Sequence, residues 1–120
     1  MHSVCRVAGI ISGASPAYNV EEMTYALKTG SAKFLMTVPG SMEVAIAAAR
    51  AAGLKEDHVF LLDGKLDGYK SVADLINIGK SFGERRQVPA YQIPEGKTNG
   101  ELCGFLSFSS GTTGLPKAVC

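Results

Sequence analysis

Charge of one sign is scarce in this 120-residue chain: 12 Lys and Arg stand against 11 Asp and Glu, the formal net charge is +1, and neither sign gathers into a long run. That balance excludes recruitment of nucleic acid or of an anionic membrane by bulk electrostatics. Long apolar runs are missing as well. The longest, Val44 to Ala49, falls far short of the ~20 residues a membrane-spanning helix needs, and the first residues lack the basic head and apolar stretch of a signal peptide. Histidine is limited to His2 and His58. Neither sits in a CxxC, HExxH or HxxxH arrangement, so no metal ligand is expected; His2 reads as a terminal residue and His58 as a loop edge. Cysteine is limited to Cys5, Cys103 and Cys120, three residues far apart. They cannot form a complete set of internal disulfides, and their number fits a reducing, intracellular compartment.

What is present is an ordinary globular composition, 46% apolar, 19% charged and 8% aromatic, enough for at most one domain with a single core of two or three layers. Along the chain the hydrophobic period switches repeatedly between strand and helix. Ser3 to Ala8 reads as the tail of a helix, and Ile10 to Ser12 as a buried strand closed by the turn formers Gly13, Ser15 and Pro16. Asn19 and Glu22 form a capping box for a helix carrying Val20, Met23, Ala26 and Leu27, which Gly30 is expected to stop in the left-handed conformation. Lys33 to Val38 reads as a second strand, Met42 to Ala52 as an alanine-rich helix capped by Ser41 and ended by Gly53, and Val59 to Leu62 as a third strand. Ser71 and Asp74 cap a further helix with Val72, Leu75 and Ile76. This alternation predicts an α/β fold, a parallel sheet with alternating helices. From Gly83 to Glu101 the chain turns polar and rich in proline and glycine, a long surface connection, before a last apolar run from Leu102 to Phe108.

That run leads into Ser109, Ser110, Gly111, Thr112, Thr113, Gly114, Leu115, Pro116 and Lys117, four hydroxyls, two glycines and one cation in nine residues. Glycines let a backbone approach an anion and turn NH groups inward, hydroxyls donate to phosphate oxygens, and a lysine adds a point charge. The segment is not the common P-loop, because Pro116 and Ala118 stand where G-x-x-x-x-G-K-[ST] needs glycine and a hydroxyl. Nor is it the dinucleotide fingerprint, since Gly111 and Gly114 give only G-x-x-G. A strand before the loop sets aside the RNA-clamping loop of KH domains. A hydroxyl-rich surface turn is the bland alternative.

The string S-S-G-T-T-G-L-P-K resembles the phosphate-loop signature of the adenylate-forming enzymes, the superfamily of acyl- and aryl-CoA ligases, luciferases and peptide-synthetase adenylation domains. Upstream, A-G-I-I-S-G-A-S-P-A-Y from Ala8 to Tyr18, followed by Glu21, Glu22, Ala32 and Lys33, is similar to a segment of the CoA-ligase branch, in particular the 4-coumarate-CoA ligases and acyl-CoA synthetases. The resemblance implies an acid-thiol ligase. A carboxylate attacks the α-phosphate of ATP to give an acyl-adenylate and pyrophosphate, and CoA then displaces AMP to give a thioester. It implies ATP and a carboxylic acid as partners, with Mg2+ and CoA as co-substrate in the full-length family, and an intracellular location, cytoplasmic or peroxisomal.

By the same resemblance Ser109, Ser110, Gly111, Thr112, Thr113, Gly114 and Lys117 bind the ATP phosphates, with Lys117 also neutralising the departing pyrophosphate as the catalytic cation. One departure is Ala118, where the family usually has glycine. The other is length, since family enzymes run several times longer. Residues 1–120 are therefore expected to be a partial AMP-binding domain, cut at both ends within the large N-terminal domain and inactive alone. A stand-alone nucleotide- or anion-binding module without catalysis, or a remnant without function, are the rival readings.

Overall fold

The structure, a computed structural model, describes residues 2–109 and 116–120. It divides into two compact units, one formed by Ala14–Arg85 and the other by Met1–Gly13 with Arg86–Cys120.

In the Ala14–Arg85 unit, helix α2 (Val20–Thr29) starts at the capping box expected from the sequence: Asn19 Oδ1 accepts from Glu22 N at 2.9 Å, and Glu22 Oε2 accepts from Asn19 N at 2.9 Å. Its far end differs from expectation. Gly30 is right-handed, with φ of −78°, and the left-handed residue is Ser31, with φ of 48°. The hydrogen bonds show why. Ser31 N donates to Lys28 O and Ala32 N to Leu27 O, the double closure of a Schellman motif in which the reversing position falls one residue after the glycine. Helix α3 (Met42–Ala52) ends in the same motif with Gly53 itself reversed at φ 77°, Gly53 N bonding Arg50 O and Leu54 N bonding Ala49 O. Ser41 makes no side-chain cap to this helix; the 3-10 turn Pro39–Ser41 leads into it instead.

Strands β2 (Leu35–Thr37) and β3 (Val59–Leu61) pair in parallel with Leu35 opposite Val59. Val59 and Leu61 are fully buried and pack with Met42 and Ala49 of α3. Removing them from water is worth about 1.5–3 kcal/mol per large side chain. The alanines Ala45, Ala48 and Ala49 are buried where α3 lies against α2, β2 and β3, and their small side chains permit that close approach. Leu62, expected in the third strand, lies beyond it and is exposed. Helix α4 (Val72–Ser81) is capped by Ser71 and Asp74 as expected, with Asp74 N donating to Ser71 Oγ and Ser71 N to Asp74 Oδ2. His58 sits in a 3-10 turn with its ring 4.9 Å from that of Phe34 and its Nδ1 3.0 Å from Lys33 O.

In the other unit, helix α1 (His2–Arg6) precedes β1 (Ile11–Gly13), which pairs in parallel with β4 (Phe105–Ser109). Tyr91 N donates to Arg6 O at 2.8 Å, so the polar connection is fastened at this point, as a loop anchor would be. The 3-10 turn Asn99–Glu101 is closed by Thr98 N and Oγ1 donating to Glu101 Oε2 at 2.7 and 3.1 Å. Strand β5 (Lys117–Val119) then joins β4 antiparallel, giving the order β1-β4-β5. The expected parallel pairing thus holds for β1 with β4 and β2 with β3, while β5 departs from it.

Candidate functional site

The signature enters and leaves through strands. In β4 the accessibility alternates, with Phe105, Ser107 and Ser109 exposed and Leu106 and Phe108 half-buried, the period of a strand with one face covered. Residues directly opposite on an antiparallel pair project to the same face. Ser109 is opposite Lys117, so the first hydroxyl and the cation of the signature share the exposed face of the β4–β5 pair. Ser109 Oγ also makes a long, weak hydrogen bond of 3.5 Å to Lys117 O. Ser110, Gly111, Thr112, Thr113 and Gly114 lie outside the described residues. Of the seven residues expected to bind phosphate, the structure therefore brings together Ser109 and Lys117.

Local bonding explains why the strands meet there. Three register pairs, Ser107 with Val119, Phe108 with Ala118 and Ser109 with Lys117, make up the β4–β5 ladder. A disulfide joins Cys103, just before β4, to Cys120, just after β5, with their Cα atoms 5.6 Å apart. The three cysteines, expected to form no complete set of internal disulfides and to fit a reducing compartment, include one bridge, and Cys5 is free and exposed. No sequence signal selects this pair, because spacing along the chain does not report which cysteines meet in the fold.

A concavity of about 430 Å³ in the same unit is lined by Cys5, Gly9, Tyr91, Glu101 and Cys103 among others, and by neither Ser109 nor Lys117. Glu101 there is held below its ordinary carboxylate pKa, first by the Thr98 backbone NH and then by the Thr98 hydroxyl, both donating to the ionised form. Its Oε2 is committed to that turn. Among the described residues no three His, Cys, Asp or Glu side chains converge on one point. No helix among them is long and apolar enough to cross a membrane.

Residues 1–120 match the family described as AMP-binding enzyme, and the chain belongs to that family. The Alternaria alternata acyl-CoA synthetase ACTT5 is 30% identical over 92% of the chain and 19% of its own length. The Aspergillus niger phenylacetyl-CoA ligase epaB is 30% identical over 97% and 21%, and the Arabidopsis thaliana 4-coumarate--CoA ligase 4 is 28% identical over 98% and 20%. The chain thus spans about a fifth of the length of these relatives. Among solved structures, the luciferase-like enzyme of the mealworm Zophobas morio superposes with a TM-score of 0.68 at 20% identity, over 93% of the chain and 24% of the enzyme. Mycobacterium smegmatis MbtA superposes with a TM-score of 0.67 at 22% identity, over 97% and 20%. Both share the mixed α/β fold.

Proposed function

We propose that residues 1–120 are a part of the AMP-binding domain of an acyl- or aryl-CoA ligase, and that this part holds the polyphosphate of ATP during formation of an acyl-adenylate. The observation that carries the reading is the pairing of Ser109 with Lys117 on one exposed strand face at the two ends of the signature. The relatives named as CoA ligases and synthetases support the reaction class.

In this reading the Ser109 hydroxyl donates to a phosphate oxygen, and the Lys117 ammonium lies beside the β- and γ-phosphates. When the carboxylate attacks the α-phosphate, negative charge accumulates on the departing pyrophosphate, and a cation already in place stabilises it without reorganisation. Ser110, Gly111, Thr112, Thr113 and Gly114 supply further NH and hydroxyl donors, the two glycines allowing the backbone to approach. ATP, a carboxylic acid and CoA are the substrates of the complete reaction. The cytoplasm and the peroxisome are the compartments proposed for it.

The test is calorimetric titration of the chain with inorganic triphosphate, ATP and AMP. Triphosphate and ATP are expected to bind and AMP to bind much more weakly. Equal binding of all three, or none, overturns the phosphate-holding role.

A further inference from the structure

We propose that the Cys103–Cys120 bond is a reversible thiol–disulfide site whose state sets how firmly β5, and with it Lys117, is held beside Ser109. The inference rests on the phosphate-holding role given above, since that role makes the position of Lys117 matter.

Three observations converge on it. First, among the described residues β5 pairs with β4 through three register pairs. So short a ladder is marginal by itself. Second, the bridge fastens the β5 end of that ladder, at Cys120 beside Val119, to Cys103 on the approach to β4, whereas Ser109 and Lys117 form the opposite end. Among the described residues, opening the bond leaves Lys117 held beside Ser109 by the ladder and the weak Ser109 Oγ bond to Lys117 O. Third, the bond is accessible. Cys120 is exposed, Cys103 is half-buried, and Cys103 lines the open concavity that also presents the free thiol of Cys5. A structural disulfide sealed in a core would offer a reductant no such approach.

The ligand class is a dithiol. One of its thiolates attacks Cys103 Sγ; a mixed disulfide forms, the Cys103–Cys120 bond breaks, and Cys120 leaves as a thiolate that takes up a proton. The second thiol of the reductant then displaces Cys103, closing the reductant's own disulfide. Two electrons pass to the protein, which ends with two thiols. The same exchange run backwards, with a low-molecular-weight disulfide as oxidant, restores the bridge. In a compartment that supplies ATP and CoA the thiol pool is reducing, so the bridge closes there under oxidising conditions and tightens the hold on Lys117.

The experiment uses the whole chain carrying Cys5→Ser, which leaves the bridge as its one redox-active element. Intact mass after alkylation is expected to show no adduct before treatment with dithiothreitol and two after it. Amide exchange at Lys117 to Val119 is expected to accelerate roughly tenfold or more on reduction, as local opening becomes easier. Affinity for inorganic triphosphate is expected to fall about three- to tenfold, from loss of preorganisation, and Cys103→Ser with Cys120→Ser is expected to match the reduced protein. Two adducts under oxidising conditions overturn the proposal. So do unchanged exchange at these amides on reduction of the unaltered bridge pair, and equal triphosphate affinity in both states. Absence of triphosphate binding in both states, with the bridge present by mass, overturns the phosphate-holding role and this inference with it.

Discussion

Ser109 and Lys117, eight residues apart in sequence, stand directly opposite each other on β4 and β5, both exposed and on one face of the sheet. A hydroxyl and an ammonium on one exposed face suit an anion as shared ligand, the Ser109 hydroxyl exchanging its weak bond to Lys117 O for one to the anion.

The first prediction concerns Lys117. Replacing it with alanine removes one charge-assisted hydrogen bond and the point charge, a loss of about 1.5–3 kcal/mol where the partner is ionic. Triphosphate affinity is therefore expected to fall roughly tenfold or more, while Lys97→Ala, on the exposed connection between Arg86 and β4, changes it by less than about twofold. Calorimetry of both variants checks this. Raising salt is expected to shrink the Lys117 effect, because the cation is exposed and screened.

Discrimination between nucleotide and polyphosphate is the second. Ser109 and Lys117 contact phosphate in this reading, and the concavity in the same unit is lined by neither. ATP and inorganic triphosphate are thus expected to bind this chain within about tenfold of each other, a difference under roughly 1.4 kcal/mol. Competition titrations measure the ratio; a stronger preference for ATP shows a nucleoside pocket within the chain.

Much of this was legible in the sequence because it is local. The capping boxes at Asn19 and Ser71 follow from side chains three residues apart, and they form as read. The end of α3 was legible too, since Gly53 takes the reversed conformation. At Gly30 the same rule misplaced the reversal by one residue, because the Leu27 and Lys28 carbonyls capture Ala32 and Ser31 rather than their neighbours. The signature made Ser109 and Lys117 candidates, but their direct opposition depends on antiparallel register. Register and the Cys103–Cys120 bridge are long-range facts that no local pattern encodes.

The third prediction follows from the cap of α4. Asp74 accepts from the Ser71 backbone NH at 2.8 Å and from its hydroxyl at 2.7 Å, and these bonds, the backbone one first, hold its pKa below the ordinary value. A folded-state pKa lower than the unfolded one means that the contribution to stability is present above the unfolded value and is lost as pH falls through the folded one. Stability in urea is expected to decline as pH drops below about 4. Asp74→Asn is expected to flatten part of that decline, and Ser71→Ala to cost about 1 kcal/mol at neutral pH. Urea midpoints measured from pH 7 down to 2.5 would show both effects; an unchanged slope in Asp74→Asn refutes the assignment.

Two glycines give the last prediction, since both are left-handed but only one is crowded. Gly53 has φ of 77° with nothing within 4 Å of where a Cβ would sit. Gly64 has φ of 78°, and a Cβ there would lie 2.9 Å from Pro39 Cγ and 3.5 Å from Pro39 Cδ. For an L-residue the left-handed conformation alone costs about 1–2 kcal/mol, and Gly53→Ala is expected to lose that amount. Gly64→Ala carries the same backbone cost and a clash with a proline ring that has no rotamer to swing away. Its loss is expected to exceed that of Gly53→Ala by about 1 kcal/mol or more. Adding Pro39→Ala to Gly64→Ala separates the two causes: the clash is relieved, and the remaining penalty returns to the Gly53→Ala level once the cost of Pro39→Ala alone is subtracted. Urea denaturation of the four variants, Gly53→Ala, Gly64→Ala, Pro39→Ala and the double substitution, measures each quantity. A Gly64→Ala penalty that the second substitution leaves unchanged would assign the whole loss to backbone conformation and none to the contact with Pro39.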